Sequence, residues 1–188
     1  LPTYPTIERF GYVFAWHDPA RRAPTFDIPD LDLDGWTTPI ATTIPIAAHV
    51  ETVHENGVDA VHFGIVHGFP LSDPAYEERG TSFHSEFHFA TPNFLRAGPP
   101  EITTFFDTDT FGLGYARSIN TAAAVGLRYR VLLLTTPTDA ESLDFTVVTM
   151  VERPPSGDDI AGVPTDEVAA FMHRGAVGGV RQDIPIWE

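Results

Sequence analysis

The chain has 188 residues, 43% of them apolar and 12% aromatic, with 14 Phe. That is enough for one substantial core with an apolar pocket, and nothing demands a second. A formal net charge of −15 and a pI near 4.7 repel phosphate backbones and anionic bilayers, which argues against a nucleic-acid partner.

The first ten residues, LPTYPTIERF, lack both a basic start and an apolar h-region, so no secretory signal is read there. No run of eighteen apolar residues is present to span a membrane, and the expected location is cytoplasmic. The chain does not begin with Met and stops inside a helical stretch, so a piece of a longer protein is expected. Residues 18–37, DPARRAPTFDIPDLDLDGWT, are rich in Pro and Asp without a sustained period and read as an extended connector. From Thr38 to Val50 a β-branched and apolar run predicts a strand leading into a helix over 55–68. Residues 68–80, GFPLSDPAYEERG, read as a loop. Strands are predicted over 81–90, 101–107, 110–120, 126–136 and 143–153, an antiparallel meander because no helical segment intervenes to make parallel crossovers. The last 25 residues read as a helix with Thr165 as N-cap, interrupted near Gly175, Gly178 and Gly179. The whole predicts an α+β domain, an antiparallel sheet wrapped around a long C-terminal helix with a cavity suited to a large apolar ligand.

The most informative stretch is Glu55–Gly68, ENGVDAVHFGIVHG. Asp59 and His62 are three apart and share a helical face. His67 lies five beyond His62, about 140° around a regular helix. Both imidazoles can reach one metal only if the helix ends or bulges between them, which Gly64 and Gly68 permit. Two neutral imidazoles and a carboxylate from elsewhere form the facial triad of non-heme Fe(II) oxygenases.

This motif resembles that of the Rieske non-heme iron oxygenases (oxygenase components), in the branch of the 3-ketosteroid 9α-hydroxylases and cholesterol 7-desaturases. Two further segments agree. FGYVFAWHDP at 10–19 is similar to the strand leaving the family's Rieske domain, and QDIPIWE at 182–188 to the helix carrying its third iron ligand. The resemblance implies a helix-grip fold, iron ligands His62, His67 and Asp183, and Asp59 as the bridge from an iron histidine to a Rieske cluster. Asn56 is implied as an amide near the open coordination side. It further implies O2, NAD(P)H-derived electrons through a separate reductase or ferredoxin, a bulky apolar, steroid-like substrate, and a homotrimer in the full-length protein. A Rieske [2Fe–2S] cluster takes two Cys and two His. The chain has no Cys, so the cluster must sit elsewhere. Residues 1–37 are then the end of the Rieske-domain strand and the connector, and 38–188 the mononuclear-iron catalytic domain.

Competing assignments are fewer. Glu188 is the nearest substitute for Asp183. In FHSEFHF, strand alternation puts His84, Glu86 and His88 on one face and Phe83, Phe87 and Phe89 on the other. The first set reads as a solvated face, with a zinc or iron site as the alternative. Phe63, Phe94 and Phe171 are candidate pocket residues. There is no GxSxG elbow, phosphate loop or HExxH helix. Hydroxylation is the leading expectation. Desaturation by the same family and a non-catalytic lipid- or steroid-binding module are the alternatives.

Overall fold

Leu127–Pro137 and Leu143–Val151 are dense in Val, Leu, Thr and aromatic residues, the composition of strands buried on both faces. In the computed structural model, which describes residues 3–69, 71–155 and 157–188, they lie at the heart of a seven-stranded antiparallel sheet. Pro70, inside the expected 68–80 loop, lies outside the described residues, as do Leu1 and Pro2 of the N-terminal segment. The chain divides into two compact units, Leu1–Asp34 and Gly35–Glu188.

The first unit holds a hairpin, β1 (Thr6–Arg9) and β2 (Tyr12–Ala15). Its two-residue turn, Phe10-Gly11, has φ of 39° and 83°, as a tight hairpin requires. Arg9 binds the Asp27 carboxylate and the Ile28 carbonyl, tying the extended segment to the hairpin.

In the second unit β3 (Ile40–Ile46) is followed by two short helices, α1 (Val50–Asn56) and α2 (Ala60–Val66). Then come β4 (Ser72–Arg79), β5 (Ser82–Pro92), β6 (Glu101–Phe111), β7 (Tyr115–Ala122), β8 (Leu127–Pro137) and β9 (Leu143–Val151). A small pair, β10 (Asp159–Ile160) and β11 (Val163–Pro164), leads into the 23-residue α3 (Thr165–Trp187). The sheet order is β3-β9-β8-β7-β6-β5-β4, a meander except where β3 returns to β9. One stripe of α3, including Val168, Ala169, Val177 and Val180, packs with Val147, Val151, Phe145 and Tyr129 of the sheet. Each such valine contributes roughly 1.5–3 kcal/mol by leaving water. This is the helix-grip arrangement, with the cavity between sheet and helix.

Several boundaries differ from expectation. Much of the predicted 68–80 loop is β4, an exposed edge strand paired to β5. Its Pro, Ser and Glu content reads as loop, but such residues are tolerated on an edge, and a register shift between Ser72 and Ala75 accommodates Pro74. The predicted break near 107–110 is absent. β6 runs through it because Asp109 is neutralised by partners on β5 and β7, and the turn falls at 112–114. The 55–68 helix is two helices broken at Gly57–Asp59. Thr165 is the first residue of α3 and Pro164 its N-cap, and the three glycines do not interrupt the helix, whose packed stripe overrides their weak propensity.

Candidate metal centre

The break between α1 and α2 is what builds the site. Asp59 is the N-cap of α2, its carboxylate accepting from Val61 N at 2.9 Å and His62 N at 3.4 Å. At the other end His67 is the C-cap, so the chain leaves the helix between the two histidines. Gly68, with φ +78°, completes that exit. The expected break thus falls at the C-cap, and Gly64 stays helical.

The ring Nδ1 of His62 donates to the Asp59 backbone carbonyl at 2.5 Å, and Nδ1 of His67 to Gln182 Oε1 at 2.8 Å. With Nδ1 so engaged, Nε2 is the nitrogen that each ring can offer a metal. Asp183, one residue after Gln182 on α3, brings its Oδ1 to 3.3 Å from His67 Nε2. Ligand atoms of His62, His67 and Asp183 all lie within 4.8 Å of one another. Asp183 and His62 are buried. Asn56 Nδ2 is 3.2 Å from His62 Nε2 and also hydrogen-bonds the Asp183 carboxylate.

Two observations bear on whether a metal fits. Asp183 Oδ1 is buried without a hydrogen-bond partner, an expensive arrangement for an anion. His67 Nε2 faces Oδ1 at 3.3 Å, a pair that a shared proton or a bound metal ion would reconcile. Burial pushes the Asp183 carboxyl above its ordinary value, against the opposing pull of His67, His62 and the Asn56 amide. A divalent ion supplies the missing charge. Two imidazoles and one carboxylate suit Fe(II) with coordination positions left open.

Asp59 stands otherwise than expected. Its carboxylate is engaged in capping, and its carbonyl, not its side chain, holds His62. Gln182 was within the quoted QDIPIW segment, but nothing in one dimension shows that it would hold His67. Phe63 sits against both candidate ligand rings, with centroids 4.2 Å from His62 and 5.4 Å from His67. Phe94 and Phe171 lie elsewhere, stacked on each other at 4.1 Å beside a cavity of about 280 Å³. That cavity is also lined by Phe89, Ile102, Leu127 and Tyr129.

The His84 face is not solvated as expected. His84 is buried, with Nδ1 2.9 Å from Asp109 and Nε2 2.9 Å from Glu86. Its third acidic neighbour is Asp107 at 3.7 Å, and His88 instead packs on Phe105. Arg117 neutralises Asp109 at 2.6 Å. Burial lowers the His84 pKa, but the bonds to Glu86 and Asp109 outweigh it and raise the net value. Both ring nitrogens face carboxylates in an ion-pair network, and His84, Asp107 and Asp109 place ligand atoms within 4.8 Å of one another. Glu188, the substitute considered for Asp183, instead accepts from Ala47 N at 3.4 Å.

A family model, the 3-ketosteroid 9α-hydroxylase C-terminal domain, matches residues 15–188. The chain belongs to this family. As a 3-ketosteroid 9α-hydroxylase C-terminal domain it falls within the Rieske non-heme iron oxygenases, and that membership implies mononuclear iron and use of O2. It is 26% identical, across 99% of its length, to a probable 3-ketosteroid-9-alpha-monooxygenase oxygenase component of Rhodococcus rhodochrous, covering 49% of that protein. A 71-residue segment, 36% of the chain and 15% of the relative, is 33% identical to cholesterol 7-desaturase of Hemicentrotus pulcherrimus. The chain spans about half or less of these curated relatives. Among solved structures, dicamba monooxygenase superposes with a TM-score of 0.70 at 15% identity, over 98% of this chain and 58% of that one. The Zhui aromatase/cyclase of Streptomyces sp. R1128 follows at 0.54 and 15% identity, over 79% and 89%. These two similarities concern the fold. Among the described residues, no helix of this hydroxylase-family domain is long and apolar enough to cross a membrane.

Proposed function

We propose that this chain is the mononuclear-iron catalytic domain of a Rieske-type monooxygenase that hydroxylates a bulky apolar, steroid-like substrate. His62 Nε2, His67 Nε2 and Asp183 Oδ1 would hold Fe(II). The observation that carries this is the buried Asp183 Oδ1, without a hydrogen bond, converging with ligand nitrogens of His62 and His67 within 4.8 Å. Bound there, Fe(II) supplies the centre at which O2 is reduced, one oxygen atom entering a C–H bond of the substrate and the other leaving as water. The chain's own residues do the rest. Asp59 and Gln182 hold Nδ1 of each imidazole, which leaves Nε2 to face the metal. Asn56 presents an amide to the same side, and Phe63 with its aromatic neighbours keeps bulk water from the ligands.

The electrons would come from NAD(P)H through a reductase or ferredoxin and a [2Fe–2S] cluster on a Rieske domain outside this sequence. Residues 1–37 would be that domain's exit and connector. The electrons would enter near Asp59, whose carbonyl contacts His62 directly, and a homotrimer would bring a neighbour's cluster to that point. Cholesterol 7-desaturase among the relatives makes desaturation the second reading. A carrier without catalysis is disfavoured, because a bare lipid pocket has no use for three converging ligands.

The test is metal stoichiometry after anaerobic Fe(II) reconstitution. About one iron per chain is expected for the unaltered protein, lost in His62→Ala and Asp183→Ala and kept in His84→Ala. Retention in the first two, or loss only in the third, would move the metal to the other cluster and end the oxygenase reading.

A further inference from the structure

The face of the sheet turned away from α3 carries a row of charges that alternates in sign only if one histidine keeps two protons. Directly opposite one another across β4, β5, β6 and β7 stand Glu77, His84, Asp109 and Arg117. His84 is buried, with Nδ1 2.9 Å from Asp109 Oδ1 and Nε2 2.9 Å from Glu86 Oε1. A carboxylate can only accept, so a neutral ring, with a single N–H, would set its bare nitrogen against an anion. The proton that resolves this could otherwise sit on a carboxyl group, but neither is suited to it. Burial pushes the Asp109 carboxyl up, and the bonds to His84 and to Arg117, at 2.6 Å, outweigh that and hold it low. Glu86 is partly in water, which favours its ionised form.

The neighbouring row needs the same proton. Glu86 and Asp107 are directly opposite on β5 and β6, a like-charged pair that by itself destabilises the pairing. His84 lies beside both, 2.9 Å from Glu86 and 3.7 Å from Asp107. Among the described residues the charged groups around the ring are Glu77 and Arg79 of β4, Glu86 of β5, Asp107 and Asp109 of β6, and Arg117 of β7. Anions outnumber cations in that set, and one further positive charge is what the arrangement lacks. Burial disfavours a charged ring and Arg79 opposes it, yet the bonds to Glu86 and Asp109 prevail and the His84 pKa is raised.

We propose that His84 is a proton-dependent clasp: as the imidazolium it joins β5 to β6 and offsets the repulsion between Glu86 and Asp107, and on losing a proton it releases that side of the sheet. The folded chain holds this proton more tightly than the unfolded one, whose histidine titrates near 6.5. The clasp therefore contributes in full below about pH 6.5 and is lost as pH rises through the folded value. It is independent of the oxygenase reading, since His62, His67 and Asp183 take no part in it.

The experiment follows urea unfolding of the unaltered chain and of His84→Gln across a pH series, with the ring nitrogens of His84 observed by NMR. At about pH 6 the ring is expected to carry two protons and the variant to be the less stable protein. Above about pH 6.5 the gap in unfolding constant is expected to close, by at most about tenfold per pH unit. Comparison with the variant removes the contributions of the other histidines. If His84→Gln does not fold, Glu86→Gln, which removes one of the two acceptors, carries the test, and the titration of His84 is expected to move to lower pH. A ring with a single proton at about pH 6, or a stability gap that does not change with pH, overturns the clasp. So does Zn(II) taken up at neutral pH by the parent through a site that His84→Gln lacks, which would make His84, Asp107 and Asp109 a metal site.

Discussion

Gln182 and Asp183 are neighbours on α3, yet they approach opposite nitrogens of one ring, Gln182 at Nδ1 and Asp183 at Nε2 of His67. The Gln182 bond holds Nδ1, so on the proposed reading it would act on the metal through the histidine. Removing such a support usually weakens metal binding about 10–100-fold. Gln182→Leu is expected to raise the Fe(II) dissociation constant by that factor in an anaerobic competition titration. Gln182→Glu, which retains the acceptor and adds charge, is expected to match or exceed the parent. Equal affinity in the Leu variant would mean that packing alone orients the ring. The approach of His62 and His67 to one point was legible in one dimension from their spacing and context. Gln182 was not, because its role exists only once α3 lies against α2.

α3 shows the same division between what local sequence expresses and what packing decides. Its three glycines look like interruptions, since glycine is a poor helix former, but the helix runs unbroken for 23 residues. Added Cβ atoms at Gly175 and Gly178 would meet nothing within 4 Å, whereas one at Gly179 would lie 3.9 Å from His67 Cε1. Gly175→Ala and Gly178→Ala should each stabilise by about 0.4–1 kcal/mol through the unfolded chain. That is a rise of up to about 2–4 °C in melting temperature per substitution by calorimetry, with iron stoichiometry unchanged. A fall in either would mean that these positions need glycine for a reason the packing does not show. Strand β4 is the complementary case. Its residues suit a loop, and it becomes a strand because β5 offers an open edge beside it. The meander from β5 to β9 was readable from its apolar density, while the edge strand rests on its hairpin with β5 and the α1–α2 break on the Asp59 cap, neither of which composition expresses.

At the scale of the whole molecule, five of the six pairings in the seven-stranded sheet join strands consecutive in sequence and one does not. β3 closes onto β9, joining Ile40 to Thr149. The metal centre depends on a closure of similar reach, since 115 residues separate His67 from Gln182. Loop closure over such distances is unfavourable until the intervening hairpins exist, so the long-range contacts should form after them. Refolding followed by strand fluorescence or exchange, with Fe(II) capture measured in parallel, should show metal competence arriving with the slowest phase. Capture in an early phase would place α3 against α2 before the sheet. With its three ligands drawn from two distant stretches, the centre has no local precursor among the nascent segments. On the proposed reading a half-made chain could not hoard iron, and an ion seated there would be a clasp that certifies a finished domain.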